Sequence, residues 1–146
     1  MLLQLLIGAL QLVMTVAFQA LSFDYIIKKT HALVRAEIKA VSRFRKAMIL
    51  AVVTLAVSMV LIAEVWLWGW FYVMIETVPD WETALYFSAS SFTTVGFGDV
   101  YLDKDWRLLS SIEAMNGFLM FGWSTAFIFE IVSHVYRKEG KAINDK

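Results

Sequence analysis

Apolar positions fall into three long runs, over residues 1–23, 47–75 and 108–136, separated by short polar stretches. The first run is interrupted only by Gln4, Gly8, Gln11, Thr15, Gln19 and Ser22. At about 1.5 Å per helical residue it reaches roughly 34 Å, enough to cross a hydrocarbon core of about 30 Å. The second run would reach about 43 Å, so it tilts or protrudes. A shorter helix is predicted over residues 81–92. Pro79-Asp80-Trp81-Glu82 reads as its start, with Asp80 capping free amides and Glu82 in the first turn, where the helix dipole favours an acid. Its length of about 18 Å is too short to span. The pattern therefore predicts an all-α membrane protein with three spans and one re-entrant helix.

Charge orients these elements. No Lys or Arg precedes Lys28, and no small-residue cleavage pattern follows the first run. It reads as a retained helix rather than a signal peptide, and its glutamines read as helix-contact residues. Residues 24–46 carry Lys28, Lys29, Arg35, Lys39, Arg43, Arg45 and Lys46 against only Asp24 and Glu37. Leu33, Val34, Ile38, Val41 and Phe44 recur at helical spacing, which predicts an amphipathic surface helix in weak electrostatic contact with anionic lipid. Arg35, Lys39 and Arg43 step by four as in a voltage sensor, but no apolar span surrounds them. This basic linker marks the cytoplasmic side, as do Arg137, Lys138 and Lys141. Glu76, Asp80, Glu82, Asp99, Asp103 and Asp105 crowd the opposite side, beside an aromatic belt of Trp66, Trp68, Trp70, Phe71 and Tyr72. The expected order is a transmembrane helix over 1–23, a basic linker over 24–46, a larger domain over 47–136 and a short tail over 137–146. The N-terminus lies outside, and the linker and C-terminus lie inside.

Composition narrows the function. Hydrophobic residues make up 60% of the chain and mean hydropathy is +0.65, too apolar for a soluble domain of this size. The absence of cysteine excludes disulfides and thiolate metal sites. His31 and His134 stand alone in sequence, give no metal-ligand pattern, and read as interface residues. There is no nucleophile–base constellation and no phosphate-binding glycine loop ahead of a helix, so no enzyme is indicated. Nucleic-acid binding is not expected of so short a membrane-bound basic loop.

The stretch that stands out is Thr93-Thr94-Val95-Gly96-Phe97-Gly98-Asp99. In a hydrocarbon setting such backbone must be hidden in protein or must line a watery path. Gly96 and Gly98 open conformations with φ above zero, so residues 95–98 can turn successive carbonyl oxygens to one side. The Thr94 hydroxyl adds a further oxygen. Several copies around an axis would form carbonyl rings that replace the hydration shell of a cation. One strand per chain cannot enclose an ion, whereas four matching strands complete each ring. The negative C-terminal end of the 81–92 helix favours a cation at the same place, and the acidic outer face concentrates cations ahead of it.

Thr94 to Asp99 resembles the signature filter of potassium channels, with Phe97 where the commonest form has tyrosine. Residues 47–136 resemble the two-helix pore module of bacterial potassium channels, in the order outer helix, pore helix, filter and inner helix. The resemblance implies a homotetramer in the cell membrane, the inner membrane of a bacterium. It implies passive, single-file conduction of potassium ions bound by Thr94, Val95, Gly96 and Phe97, with Gly98 completing the filter. Thr93, Asp99, Tyr86, Phe87 and Ser90 fall where they would support it. Phe97 cannot donate a phenolic hydrogen bond, so packing from Tyr86 and Phe87 is expected to hold the filter's width. Family analogy pairs Tyr86 with Asp99. Gly117 in Gly117-Phe118-Leu119-Met120-Phe121-Gly122 matches the gating-hinge position, and close helix packing is the other common use of such a glycine. Phe121, Thr125 and Phe129, spaced by four, would then face the cavity and gate. The first helix and the linker lie outside the module. Gating is expected to act through the membrane, the linker, the tail or a regulatory partner. A weakly selective cation pore and a non-conducting membrane subunit are the alternatives.

Three acids lie within the spans, where ionisable groups are costly and functional by default: Glu64, Glu113 and Glu130. Glu64 and Glu113 are expected to share a depth behind the filter and to bond Ser88, Ser90, Ser91 or Asn116. Glu130, nearer the cytoplasm, would form an anionic ring in four copies or pair with a linker cation.

Overall fold

The computed structural model describes residues 2–35 and 43–144. The described residues form α1 (Leu2–Arg35), α2 (Arg43–Met74), α3 (Trp81–Phe92) and α4 (Leu108–Asn144). Three stretches are long and apolar enough to cross a membrane, Leu2–His31, Arg43–Met74 and Leu108–Tyr136. The protein is thus an all-α, multi-pass membrane protein. α1 does not stop at Phe23. It continues through Asp24 and Lys28, which pair at 2.5 Å one turn apart, to Arg35. The amphipathic pattern through Ile38, Lys39 and Val41 lies outside the described residues.

α1 and α4 run side by side in the same direction. The Gln4 amide donates to the Asp105 carbonyl at one end. Further along, Asn116 Nδ2 donates to Thr15 Oγ1 at 2.8 Å, and Gln19 Nε2 donates to the Met120 carbonyl at 3.2 Å and to Ser124 Oγ at 3.1 Å. Phe23 stacks on Phe127 with ring centroids 4.0 Å apart. At the far end, His31 and His134 lie 4.5 Å apart. α2 runs the opposite way, with Tyr72 beside Glu113 and the Lys46 ammonium 5.2 Å over the Tyr136 ring. α3 packs between α2 and α4 at the end where α4 begins.

The buried stripe of α1 is polar for most of its length. Gln4, Gln11, Thr15 and Gln19 are buried, whereas Leu2, Leu3, Leu6, Leu10 and Leu21 point outward. Lipid is as apolar as leucine, so a helix in a bilayer gains little by hiding leucines. It gains from close packing and from bonds between helices. The glutamines are helix-contact residues, as their positions in an otherwise apolar run suggest. Apolar clusters lie on either side of this seam: Trp68, Tyr72, Phe92, Leu109 and Met120 toward the α3 end, and Val53, Val57, Phe127 and Ile131 toward the other.

The aromatic belt is smaller than expected. Trp66 and Trp70 are exposed, but Trp68 and Tyr72 are wholly buried. Steps of four from Glu64 carry both onto the inner face of α2, so they belong to the core. Replacing Gln19 with leucine removes its bonds to α4 and is expected to lower stability by about 1 kcal/mol in mixed micelles. Leu21→Ala on the outward face should change it little, and unfolding with rising SDS fraction measures both.

Candidate functional site: the glycine-spaced loop and its supports

The loop is organised by the end of α3. Asp80 starts that helix, its carboxylate accepting from the Thr83 amide at 2.8 Å and the Thr83 hydroxyl at 2.9 Å. These bonds, the amide first, hold the Asp80 carboxyl below the usual range. At the other end, Thr93 and Thr94 amides donate back to the Ala89 and Ser91 carbonyls at 3.1 and 2.9 Å. The backbone then changes hand at every second residue. Thr94, Gly96 and Gly98 have φ of +62°, +56° and +76°, while Val95 and Phe97 between them do not enter that region. Alternation of this kind turns successive amides to one side of the chain. The Gly96 amide donates to the Ser90 carbonyl at 3.1 Å, and the Phe97 amide to Ser90 Oγ at 3.2 Å. In such a backbone the carbonyls take the other side.

The left-handed backbone at Thr94 is what the sequence does not reveal here. A β-branched residue at positive φ costs on the order of 1–3 kcal/mol, and only the surrounding bonds hold it there. The glycines signal positions 96 and 98 by their type, whereas threonine at 94 carries no such mark.

Side chains behind the loop set its position. Tyr86 Oη donates to Asp99 Oδ2 at 2.6 Å. This bond holds the Asp99 carboxyl below the usual aspartate range. Phe97 stacks on Tyr86, with centroids 6.1 Å apart and planes 10° from parallel. Phe87 packs edge-on to Tyr72 at 5.2 Å and also borders the cleft behind the loop. Between loop and helix lies a cleft of about 350 Å³ whose walls include Tyr86, Ser90, Asp99, Tyr101 and Arg107. In the single chain residues 93–99 are all exposed.

The intramembrane acids part company. Glu113 is wholly buried. Tyr72 Oη donates to its Oε2 at 2.7 Å, and Ser88 Oγ lies 2.6 Å from its Oε1 and 2.8 Å from the Val65 carbonyl. It thereby ties together α2, α3 and α4. Ser88 was among its expected partners, but Tyr72 was hidden by its neighbours in the Trp-rich end of α2. Glu64 is equally buried, yet neither of its oxygens finds a partner among the described residues. Asn116 bonds Thr15 of α1 rather than an acid. Glu130 is exposed on α4.

Gly117 is a point of contact. A Cβ there would lie 1.9 Å from the Phe92 carbonyl oxygen, so only glycine lets α4 pass the end of α3. Nothing comparable surrounds Gly122, which has open space within 4 Å. α4 continues without interruption through both. Phe121, Thr125 and Phe129 lie on the uncovered side of α4, Phe129 being 71% exposed, and Phe121 meets the Phe92 ring edge-on at 5.7 Å. His31 and His134, separate in sequence, come together where α1 and α4 end.

Two substitutions probe this framework. Gly117→Ala is expected to destabilise the α3–α4 contact by about 1–3 kcal/mol through overpacking, whereas Gly122→Ala is tolerated; thermal unfolding in detergent compares them. Tyr86→Phe removes the bond on Asp99, so the Asp99 titration rises toward the ordinary aspartate value. A lowered carboxyl adds stability above the ordinary range and loses it as pH falls through the lowered value. The variant therefore lacks most of that contribution already at neutral pH and its stability changes less on acidification, and carboxyl NMR titration reads the shift.

Residues 47–134, more than half of the chain, match the family model described as "Ion channel". That segment covers all but the first turn of α2, then α3, the glycine-spaced loop and nearly all of the apolar part of α4, leaving α1 outside it. No curated protein and no solved structure matches the chain. Two membrane-crossing helices flanking a short helix and a loop of alternating hand are thus found where the family places its channel, and the chain belongs to the two-transmembrane ion-channel family.

Proposed function

We propose that the chain is the subunit of a homotetrameric potassium channel, with residues 94–98 as its selectivity filter. The observation that carries this reading is the loop's backbone, whose φ changes sign at residues 94, 96 and 98 while its amides are gathered onto Ser90. Carbonyls on the free side of four such loops would surround a common axis. Potassium ions shed their water to bind among the oxygens of Thr94, Val95, Gly96 and Phe97, and repulsion between ions moves them on in single file.

The exposed surfaces support assembly. Polar backbone cannot stay bare at membrane depth, and residues 93–99 are bare in one chain. Three partners close the ring and cover them. Thr125 and Phe129 then line the cavity below the filter, Phe121 its upper wall, and Glu130 the entrance to the cytoplasm. The short α3 aims its negative end at the cavity. Charge orients the whole: the basic residues of 28–46 face the cytoplasm and contact anionic headgroups, while Asp99, Asp103 and Asp105 form an outer vestibule. Stacking of Phe97 on Tyr86 and the Ser90 bonds replace the phenolic bond that tyrosine at 97 would make. Gly117 stays where a hinge would be wanted, and a bend there would pivot on its contact with Phe92. The match over residues 47–134 supports ion conduction as such.

Flux from liposomes holding the purified chain tests the proposal. Potassium is expected to leave at least about tenfold faster than sodium, a difference of about 1.4 kcal/mol. Gly96→Ala should abolish the flux, because an L-residue at this φ costs about 1–2 kcal/mol in each chain. Equal potassium and sodium flux would leave a pore without selectivity, and no flux of either ion would leave a membrane scaffold.

A further inference from the structure

The contacts of Glu113 contain more acceptors than visible protons. Its Oε2 accepts from Tyr72 at 2.7 Å, which uses the tyrosine proton. Its Oε1 lies 2.6 Å from Ser88 Oγ, and that same oxygen lies 2.8 Å from the Val65 carbonyl. A hydroxyl has one proton and two lone pairs. Both distances are those of a full O–H···O bond, not of a shared one. If Ser88 gives its proton to the carboxyl, its close approach to the carbonyl sets two acceptors against each other. If Ser88 gives it to Val65, the contact with Oε1 needs a proton of its own. The only atom able to supply it is Oε1.

The surroundings agree. Glu113 is 0% exposed, and among the described residues no cation pairs with it. The polar side chains in contact with it are Tyr72 from α2 and Ser88 from α3. Neither carries positive charge, and an unpaired carboxylate deep in a membrane protein is expensive.

We infer that Glu113 is a neutral carboxylic acid that donates through Ser88 to the Val65 carbonyl while accepting from Tyr72, a proton-dependent clamp joining α3 to α2 and α4 behind the loop. It is a positioning residue. Without its proton the chain Glu113–Ser88–Val65 breaks at one link, and α3, whose last turn carries Ser90 and leads into Thr94, loses its anchor. Loss of the proton in alkaline medium would therefore disturb the ion path; that last step rests on the channel reading, whereas the protonation itself does not.

Infrared spectroscopy of the full chain in lipid separates the two. At neutral pH the protein is expected to show the carbonyl stretch of a protonated carboxyl, and Glu113→Gln should remove one component of it while Glu64→Gln leaves that component in place. Should Glu113→Gln fail to assemble, Ser88→Ala strips the acceptor of the acid proton and should move the component to higher frequency. In liposomes, potassium flux of the unaltered chain should fall several-fold as pH is raised, and Glu113→Gln, an amide that keeps a donor toward Ser88, should give a flat profile. A component untouched by Glu113→Gln or unmoved by Ser88→Ala overturns the assignment, as does a Glu113→Gln profile that follows the unaltered chain. Absence of flux in every chain, with the spectra as expected, would overturn the channel reading and leave the clamp standing.

Discussion

Exposed peptide groups have no place in hydrocarbon, and that constraint governs the architecture. Helices α1, α2 and α4 satisfy it internally, since each residue's amide reaches a carbonyl one turn away. Residues 93–99 cannot. Their amides are drawn toward α3 and Ser90, and their other face is bare in one chain. Much of the remaining structure serves to present that face. Asp80 starts the short helix, Gly117 lets α4 come close enough to support its end, and Tyr86 holds both Phe97 and Asp99. Glu113 fastens the middle of α3 to both flanking spans. A loop that needs so many supports is costly to hold in one chain, and the proposed tetramer would give it a use.

The elements were legible in the sequence because their signals are strong and local. Three apolar runs of spanning length, the Pro79-Asp80 start and the two spaced glycines each carry their own physical reason. The polar stripe of α1 could be read as helix contact, since glutamine inside a span needs a partner. The partners themselves could not be read. Asn116, Ser124 and the Met120 carbonyl lie about a hundred residues away, and periodicity says nothing about which helix will cover a stripe. Trp68 and Tyr72 were misplaced for a related reason. Six aromatic or apolar residues among the seven from 66 to 72 conceal the steps of four that send these two inward while Trp66 and Trp70 stay out.

The site was legible in kind and less so in detail. Glycine marked the left-handed positions at 96 and 98, but Thr94 adopts the same hand without any compositional trace. The close approach at Gly117 depends on where α3 ends, which a single chain of letters gives only to within a residue or two. The two histidines shared nothing in sequence and meet only because α1 runs parallel to α4. Pairings across elements, rather than the elements themselves, were what sequence could not supply.

The seam between α1 and α4 bears on how the protein is made. Gln19 is made before Ser124, its partner, which follows 105 residues later. At about 5–20 residues per second that interval is roughly 5–20 s. During it, a helix with three glutamines and a threonine on one side sits at the membrane before its counterpart has been translated. α1 must therefore wait in a polar shelter, at the insertion machinery or against α2, and its seam closes only once α4 has followed it.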